Sequence, residues 1–227
     1  ETIEDAVVEA HPHSFTKKRY SATEAYQDLI SENYFYHNPS SPEIFIEHNL
    51  PLPAFKRAKD LVGKRPEKTE LPKFLSQFGT IHAEFKLDFG SFRDLQRHRA
   101  LDQRMPLLTT DLGFNQWYLN NLPKETRESA ENHLTDLKRR VAELNVSSEI
   151  RQYYTPMGFD TSNSITGDLP AMLYMVELRS TRFVHPTLRR VAKYIGEYIQ
   201  KLGIPVHFDP EPDRFDIKRG EQDIFIR

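Results

Sequence analysis

The chain of 227 residues contains no cysteine. That excludes disulfides, thiolate nucleophiles and cysteine-ligated zinc, and it fits a cytosolic protein. Neither sign of charge dominates. With 31 basic and 33 acidic residues the net charge is −2, so nothing pulls the whole molecule toward nucleic acid or an anionic membrane, and any anion site must be a local cluster. No apolar run approaches the length of a membrane span, and the opening residues do not read as a secretory signal. No membrane association and no nucleic-acid partner are therefore expected, and a cytoplasmic location is. There are nine glycines, none arranged as a glycine-rich phosphate loop, and no Ser-His-Asp pattern is evident. The length suits one large or two small domains. A single domain over 1–227 is expected. The chain opens on Glu1 rather than Met, as a piece of a longer polypeptide or a trimmed chain would.

What is present reads as mostly helix with a few strands. Ser21-Ala22-Thr23-Glu24 has the form of a capping box opening a helix over about 21–35. Six prolines (39, 42, 51, 53, 66 and 72) interrupt residues 38–72, so irregular structure is expected there, with a short helix near Ala54–Val62. Ile81, Ala83, Phe85, Leu87 and Phe89 alternate with His82, Glu84, Lys86 and Asp88. Period two over nine residues predicts a half-buried strand. Gly90 should end it, and Ser91-Phe92-Arg93-Asp94 should cap a helix running to about residue 104. Ala130, Leu134, Leu137, Val141 and Leu144 form one stripe of an amphipathic helix over Lys124–Asn145. Residues 153–165 read as loop or short strand. Asp168 and Pro170 suit the start of a helix ending near Ser180. Pro186 opens a last helix with Leu188, Val191, Ala192, Ile195, Ile199 and Leu202 inward and Gly203 at its end. A short strand is expected at Asp223–Ile226. The class is α+β, mostly helical with a small antiparallel or mixed sheet.

The densest basic cluster is Arg97-His98-Arg99. On a helix the two arginines would stand about 200° apart, so the triplet can reach two ligands or two subunits. A guanidinium fork suits phosphate through two parallel hydrogen bonds. The same pattern also arises as solvated charge near a helix C-terminus. Arg179 and Arg189 sit near the end of one helix and in the first turns of the next, where they could clamp a phosphate or simply lie exposed. His11-Pro12-His13 could suggest a metal, but two histidines near a terminus rarely make a site; His133 reads as an interfacial helix residue, and the acidic run Asp209, Glu211, Asp213 and Asp216 as a solvated loop rather than a calcium site. Phe114, Trp117 and Tyr118 read as core or interface aromatics.

The stretch Phe92-Arg93-Asp94-Leu95-Gln96-Arg97-His98-Arg99 resembles the Arg-His-Arg signature of flavin-dependent thymidylate synthases, which often carry an arginine four residues before it. Leu178-Arg179 followed ten residues later by Arg189 resembles that family's second motif. The order strand, signature helix, long amphipathic helix, proline-containing loop and two further helices also agrees. The resemblance is clearest over 78–202. It implies that Arg97, His98 and Arg99, with Arg93 and His82, hold FAD. It further implies that Arg179 and Arg189 hold a pyrimidine nucleotide such as dUMP. The implied reaction is flavin-dependent methyl transfer with NADPH and methylenetetrahydrofolate as co-substrates, in a homo-oligomer or beside a sister domain.

This sequence departs from the family pattern. Leu107 and Thr109 stand where the extended signature has a serine and an arginine that serve the nucleotide, and leucine offers neither donor nor acceptor. Val184-His185-Pro186-Thr187-Leu188-Arg189 retains only the final arginine of a motif that normally reads Ala-Gln-x-Glu-Ile-Arg. Two alternatives to the enzyme follow: a non-catalytic flavin- or nucleotide-binding half of a larger protein, or a helical module without flavin.

Overall fold

A computed structural model of the chain describes residues 43–67 and 69–210, together with residues 6, 9–11, 25–27 and 29. The chain divides into two compact units, Glu1–Tyr36 and His37–Arg227. In the first, residues 25–27 and 29 are helical, in keeping with the helix expected over 21–35. Its capping box lies outside the described residues, as do His13, Glu211, Asp213, Asp216 and the strand expected at Asp223–Ile226.

The second unit is built on a sheet of four antiparallel strands in the order β1-β2-β4-β3. These are β1 (Ile44–His48), β2 (Thr80–Asp88), β3 (Asp102–Arg104) and β4 (Asp160–Asp168). In chain order the helices are α1 (Leu52–Phe55), α2 (Lys59–Gly63), α3 (Phe89–Leu95), α4 (Gln116–Asn120), α5 (Lys124–Ala142), α6 (Ser148–Arg151), α7 (Leu169–Arg179) and α8 (Pro186–Lys201). The α+β class expected from the sequence is what the structure has.

β2 shows why the alternating pattern forms a strand. Ile81, Ala83, Phe85 and Leu87 are fully buried, whereas His82, Glu84 and Lys86 are half-buried on the opposite face. The buried set packs with Met172, Leu173, Met175 and Val176 of α7 and Leu188, Val191, Ile195 and Ile199 of α8. Each such side chain contributes about 1.5–3 kcal/mol through removal from water. α7 and α8 meet closely at Gly196, where a Cβ would stand 2.6 Å from Val176 Cγ1 and 2.6 Å from Phe208 Cζ.

Several expectations need correction. Residues 38–72 hold a strand, β1, which the surrounding prolines concealed, and the short helix near 54–62 is two pieces, α1 and α2. The stretch 153–165, read as loop or short strand, contains most of β4, nine residues paired with β2 over its whole length and also with β3. Its sequence Asp-Thr-Ser-Asn-Ser-Ile-Thr-Gly-Asp has no apolar alternation because its inner positions are small and polar: Thr161, Ser162, Asn163 and Ser164 are all buried. β3 was not anticipated.

The helix after β2 starts one turn earlier than expected. Its cap is Asp88, whose Oδ2 accepts from the Ser91 amide at 2.9 Å, and Ser91 lies inside the helix. It also ends at Leu95, so Arg97-His98-Arg99 lies in the turns that follow rather than on the helix. The cause is local. The Gln103 amide donates to the carbonyls of Leu95, at 3.3 Å, and His98, at 2.8 Å, closing the helix end and leading the chain into β3.

The later helices follow the sequence. Asp168 Oδ1 accepts from the Ala171 amide at 2.8 Å at the start of α7, and Gly203 has φ 81° just beyond α8. In α5 Val141 is buried, while Ala130, Leu134 and Leu137 are only half-buried.

Candidate functional site

The sheet and α7 bring the basic triplet and the end of α7 together. His98 is 8% exposed, in edge contact with the Tyr174 ring at 6.1 Å. Arg179, the last residue of α7, donates from Nε to His98 Nε2 at 2.8 Å and from Nη2 to the Asp94 carbonyl at 2.8 Å. Because the guanidinium must donate, His98 Nε2 bears a lone pair and the ring is neutral with its proton on Nδ1. Burial, and then the positive charge of Arg179, push the His98 pKa down to about 4. Burial also lowers the Arg179 pKa, with the charge of Arg97 adding to the effect and Asp94 opposing it.

Arg97 and Arg99 are exposed on the same turns, and Arg97 Nε lies 3.7 Å from Asp94 Oδ1. Together with Glu70, Tyr174, Leu178 and Arg179 they line a cleft of about 360 Å³ around His98. A second hollow of about 260 Å³ shares the Glu70, Ala100, Ala171 and Tyr174 wall. The cleft thus presents three guanidinium groups against two carboxylates, Glu70 in its lining and Asp94 beside Arg97, over an uncharged imidazole. That set suits an anion with several oxygens, such as a phosphate or diphosphate.

The other expected site residues lie elsewhere. Arg93 is exposed, with Nη1 3.3 Å from Met157 Sδ. His82 is on the sheet, its Nδ1 2.9 Å from Thr166 Oγ1 and its Nε2 3.4 Å from Glu84 Oε1. Arg189 belongs to the first turns of α8 and is not among the residues that line the cleft.

Arg189 is instead close enough to His185 for its charge to depress that histidine, after the larger effect of burial. His185 is part of a polar network that sequence reasoning missed. Its ring stacks on Tyr118 at 5.3 Å and meets Trp117 edge-on at 4.5 Å. Its Nδ1 lies 2.8 Å from Thr187 Oγ1, which is 2.7 Å from Ser91 Oγ. The Tyr118 hydroxyl donates to Asp88 Oδ2 at 3.0 Å, and Asn115 Nδ2 donates to Asp160 Oδ1 at 2.7 Å. Asp88 and Asp160 are cross-strand partners. Burial raises the Asp160 pKa to about 6, the Asn115 hydrogen bond opposing and the Asp88 charge reinforcing the shift. Burial and the Asp88 charge likewise raise the Tyr118 pKa. The one available sequence signal was His185 immediately before Pro186, at the cap of α8.

Among the described residues no group of three or more His, Asp or Glu side chains is suited to a metal ion, and no helix is long and apolar enough to cross a membrane.

No family model matches the chain. It is 32% identical over 142 residues to a UPF0159 protein of Thermoplasma acidophilum, covering 60% of this chain and 27% of that protein. It is 33% identical over 118 residues to a UPF0159 protein of Chlamydia pneumoniae, covering 51% of this chain and 22% of the relative. The chain thus spans about a quarter of the length of the curated relatives it matches. Two solved structures of the flavin-dependent thymidylate synthase ThyX from Helicobacter pylori, both with FAD and dUMP, are similar at 16% identity and a TM-score of 0.49. They cover 69% and 71% of this chain and 92% and 97% of their own.

Proposed function

We propose that the cleft between the 97–101 turns and α7 binds the phosphate portion of a flavin or pyrimidine nucleotide, in a protein of the flavin-dependent thymidylate synthase type. The observation that carries the reading is the meeting of two motifs distant in sequence: His98 is hydrogen-bonded to Arg179, and Arg97, His98, Arg99 and Arg179 line one cleft. Solvated surface charge has no reason to converge in this way, and arginines of like sign gather where an anion compensates them.

The donor set fits the diphosphate of FAD. Arg97 and Arg99 would hold it, and Tyr174 offers a ring at the cleft wall. When bound, the flavin supplies hydride chemistry. The residues of this chain bind and orient. Arg179 supplies fixed positive charge for a phosphate or for the oxygen of a pyrimidine ring, such as that of dUMP. Methyl transfer to dUMP, with NADPH and methylenetetrahydrofolate, is the corresponding full reaction. The half-exposed stripe of α5 offers a surface to a second copy or to a sister domain.

A second reading is favoured by particular residues. Leu107 and Thr109 stand where the family's pattern has nucleotide-serving groups, and Arg189 is not in the cleft lining, its charge acting on His185. A chain with these features binds a flavin or nucleotide without turning it over, as one part of a longer protein. Release of hydrogen from carbon 5 of dUMP, assayed with FAD, NADPH and methylenetetrahydrofolate, separates the two. Release supports the enzyme. FAD or dUMP binding without release supports the non-catalytic domain, and no binding of either removes both.

A further inference from the structure

We propose that His98 is the positioning residue of Arg179, holding the guanidinium by one edge so that its remaining fork is free for an anion in the cleft. The proposal rests on the reading of this cleft as an anion site. In a guanidinium, Nε–H and one Nη2–H share one edge, while Nη1 and Nη2 form the outer fork. The structure uses the first edge entirely within the protein: Nε donates to His98 Nε2 and Nη2 to the Asp94 carbonyl, both at 2.8 Å. Nη1 makes no hydrogen bond or ion pair among the described residues. Two anchors on one edge fix the plane of the group, so little rotamer freedom remains to be lost when a bidentate anion arrives.

His98 can do this only as an acceptor. An imidazolium would set a second positive charge and a second donor against Arg179. The surroundings keep the ring neutral. His98 is buried against the edge of Tyr174, and its own carbonyl is tied down by the Gln103 amide at 2.8 Å. The charged groups facing this pair are Arg97, Arg99, Asp94 and Glu70. The middle residue of the triplet therefore acts through Arg179, while its two neighbours are the exposed cations of the cleft.

The test uses the intact chain, with inorganic phosphate and dUMP as probes. Nitrogen NMR should show His98 locked at neutral pH as the tautomer protonated at Nδ1, and Arg179→Met should release that lock. His98→Gln places an amide oxygen near the Nε2 position and should keep phosphate affinity within about threefold. His98→Leu, equally folded by circular dichroism, should lose about tenfold or more, as expected for loss of a hydrogen bond to a charged group. A ring protonated at Nε2 in the wild type overturns the proposal. So does wild-type affinity in His98→Leu, while leaving the anion site itself intact. A wild type that binds neither phosphate nor dUMP removes the anion site, and the proposal with it, whatever the tautomer.

Discussion

Arg65 and Glu177 form an ion pair whose side chains are 6% and 2% exposed. It joins the end of the α2 segment to the last turn of α7, two residues before Arg179. Arg65 also donates to the carbonyls of Val62, at 2.8 Å, and Thr69, at 3.1 Å, and Glu177 Oε1 accepts from the His207 amide at 2.8 Å. Each charge is compensated chiefly by the other. Arg65→Met should therefore leave a buried carboxylate without its cation and cost about 3–5 kcal/mol, as removal of one partner of a buried pair does. Glu177→Gln should cost a similar amount for the complementary reason, although its amide oxygen still serves the His207 amide. The double variant retains neither charge and should cost much less than the sum, leaving a coupling of about 2 kcal/mol or more. Urea unfolding followed by far-ultraviolet circular dichroism and Trp117 fluorescence measures all three. Single variants that each cost under about 1 kcal/mol and simply add would show the pair to be a solvated one.

Three further outcomes follow from other parts of the fold. Gly196→Ala forces a methyl group to within 2.6 Å of Val176 Cγ1 and Phe208 Cζ, and should destabilise by about 1–3 kcal/mol; an unchanged thermal midpoint would show that α7 and α8 are not so closely packed. Asp160, with its pKa raised to about 6 from 3.8, contributes stability that is complete below about pH 4 and lost as pH rises through 6. Asp160→Asn should therefore gain on the wild type between pH 4 and 7, and parallel stability curves would contradict this. For His98, depressed to about 4, the unfolded state takes up protons first, so stability falls as pH drops from 6.5 toward 4. His98→Gln should lack this fall, which urea midpoints across that range would reveal.

The legible elements were those whose burial is one-sided and apolar. β2 and α8 carry their faces in the sequence at period two and at helical spacing, and the start of α7 is written in Asp168 and Pro170. β4 was illegible for a physical reason. Paired on both edges and filled with small polar residues, it gains its place from neighbours rather than from an apolar face. Gly167 shows the same dependence, since a Cβ there would strike Leu101, the residue just before β3. In the candidate site, residue types and spacing identified Arg97, His98, Arg99 and Arg179 as basic groups. The hydrogen bond between His98 and Arg179 depends on the turn that Gln103 closes, which no periodicity encodes. That Arg179 lines the cleft while Arg189 does not was hidden because the chain turns a corner over residues 180–185 between α7 and α8. The network around His185 joins residues from β2, α3, α4, β4 and α8, each unremarkable in its own segment.

Equilibrium titration of FAD against the intact chain, read by flavin fluorescence and repeated with the Arg97→Ala/Arg99→Ala double variant, tests whether the cleft holds an anionic cofactor. Saturable binding to the wild type is expected, weakened about tenfold or more in the double variant and reduced by added salt. Affinity unchanged by loss of both arginines, or binding of neither FAD nor dUMP at any concentration, would contradict that reading of the cleft.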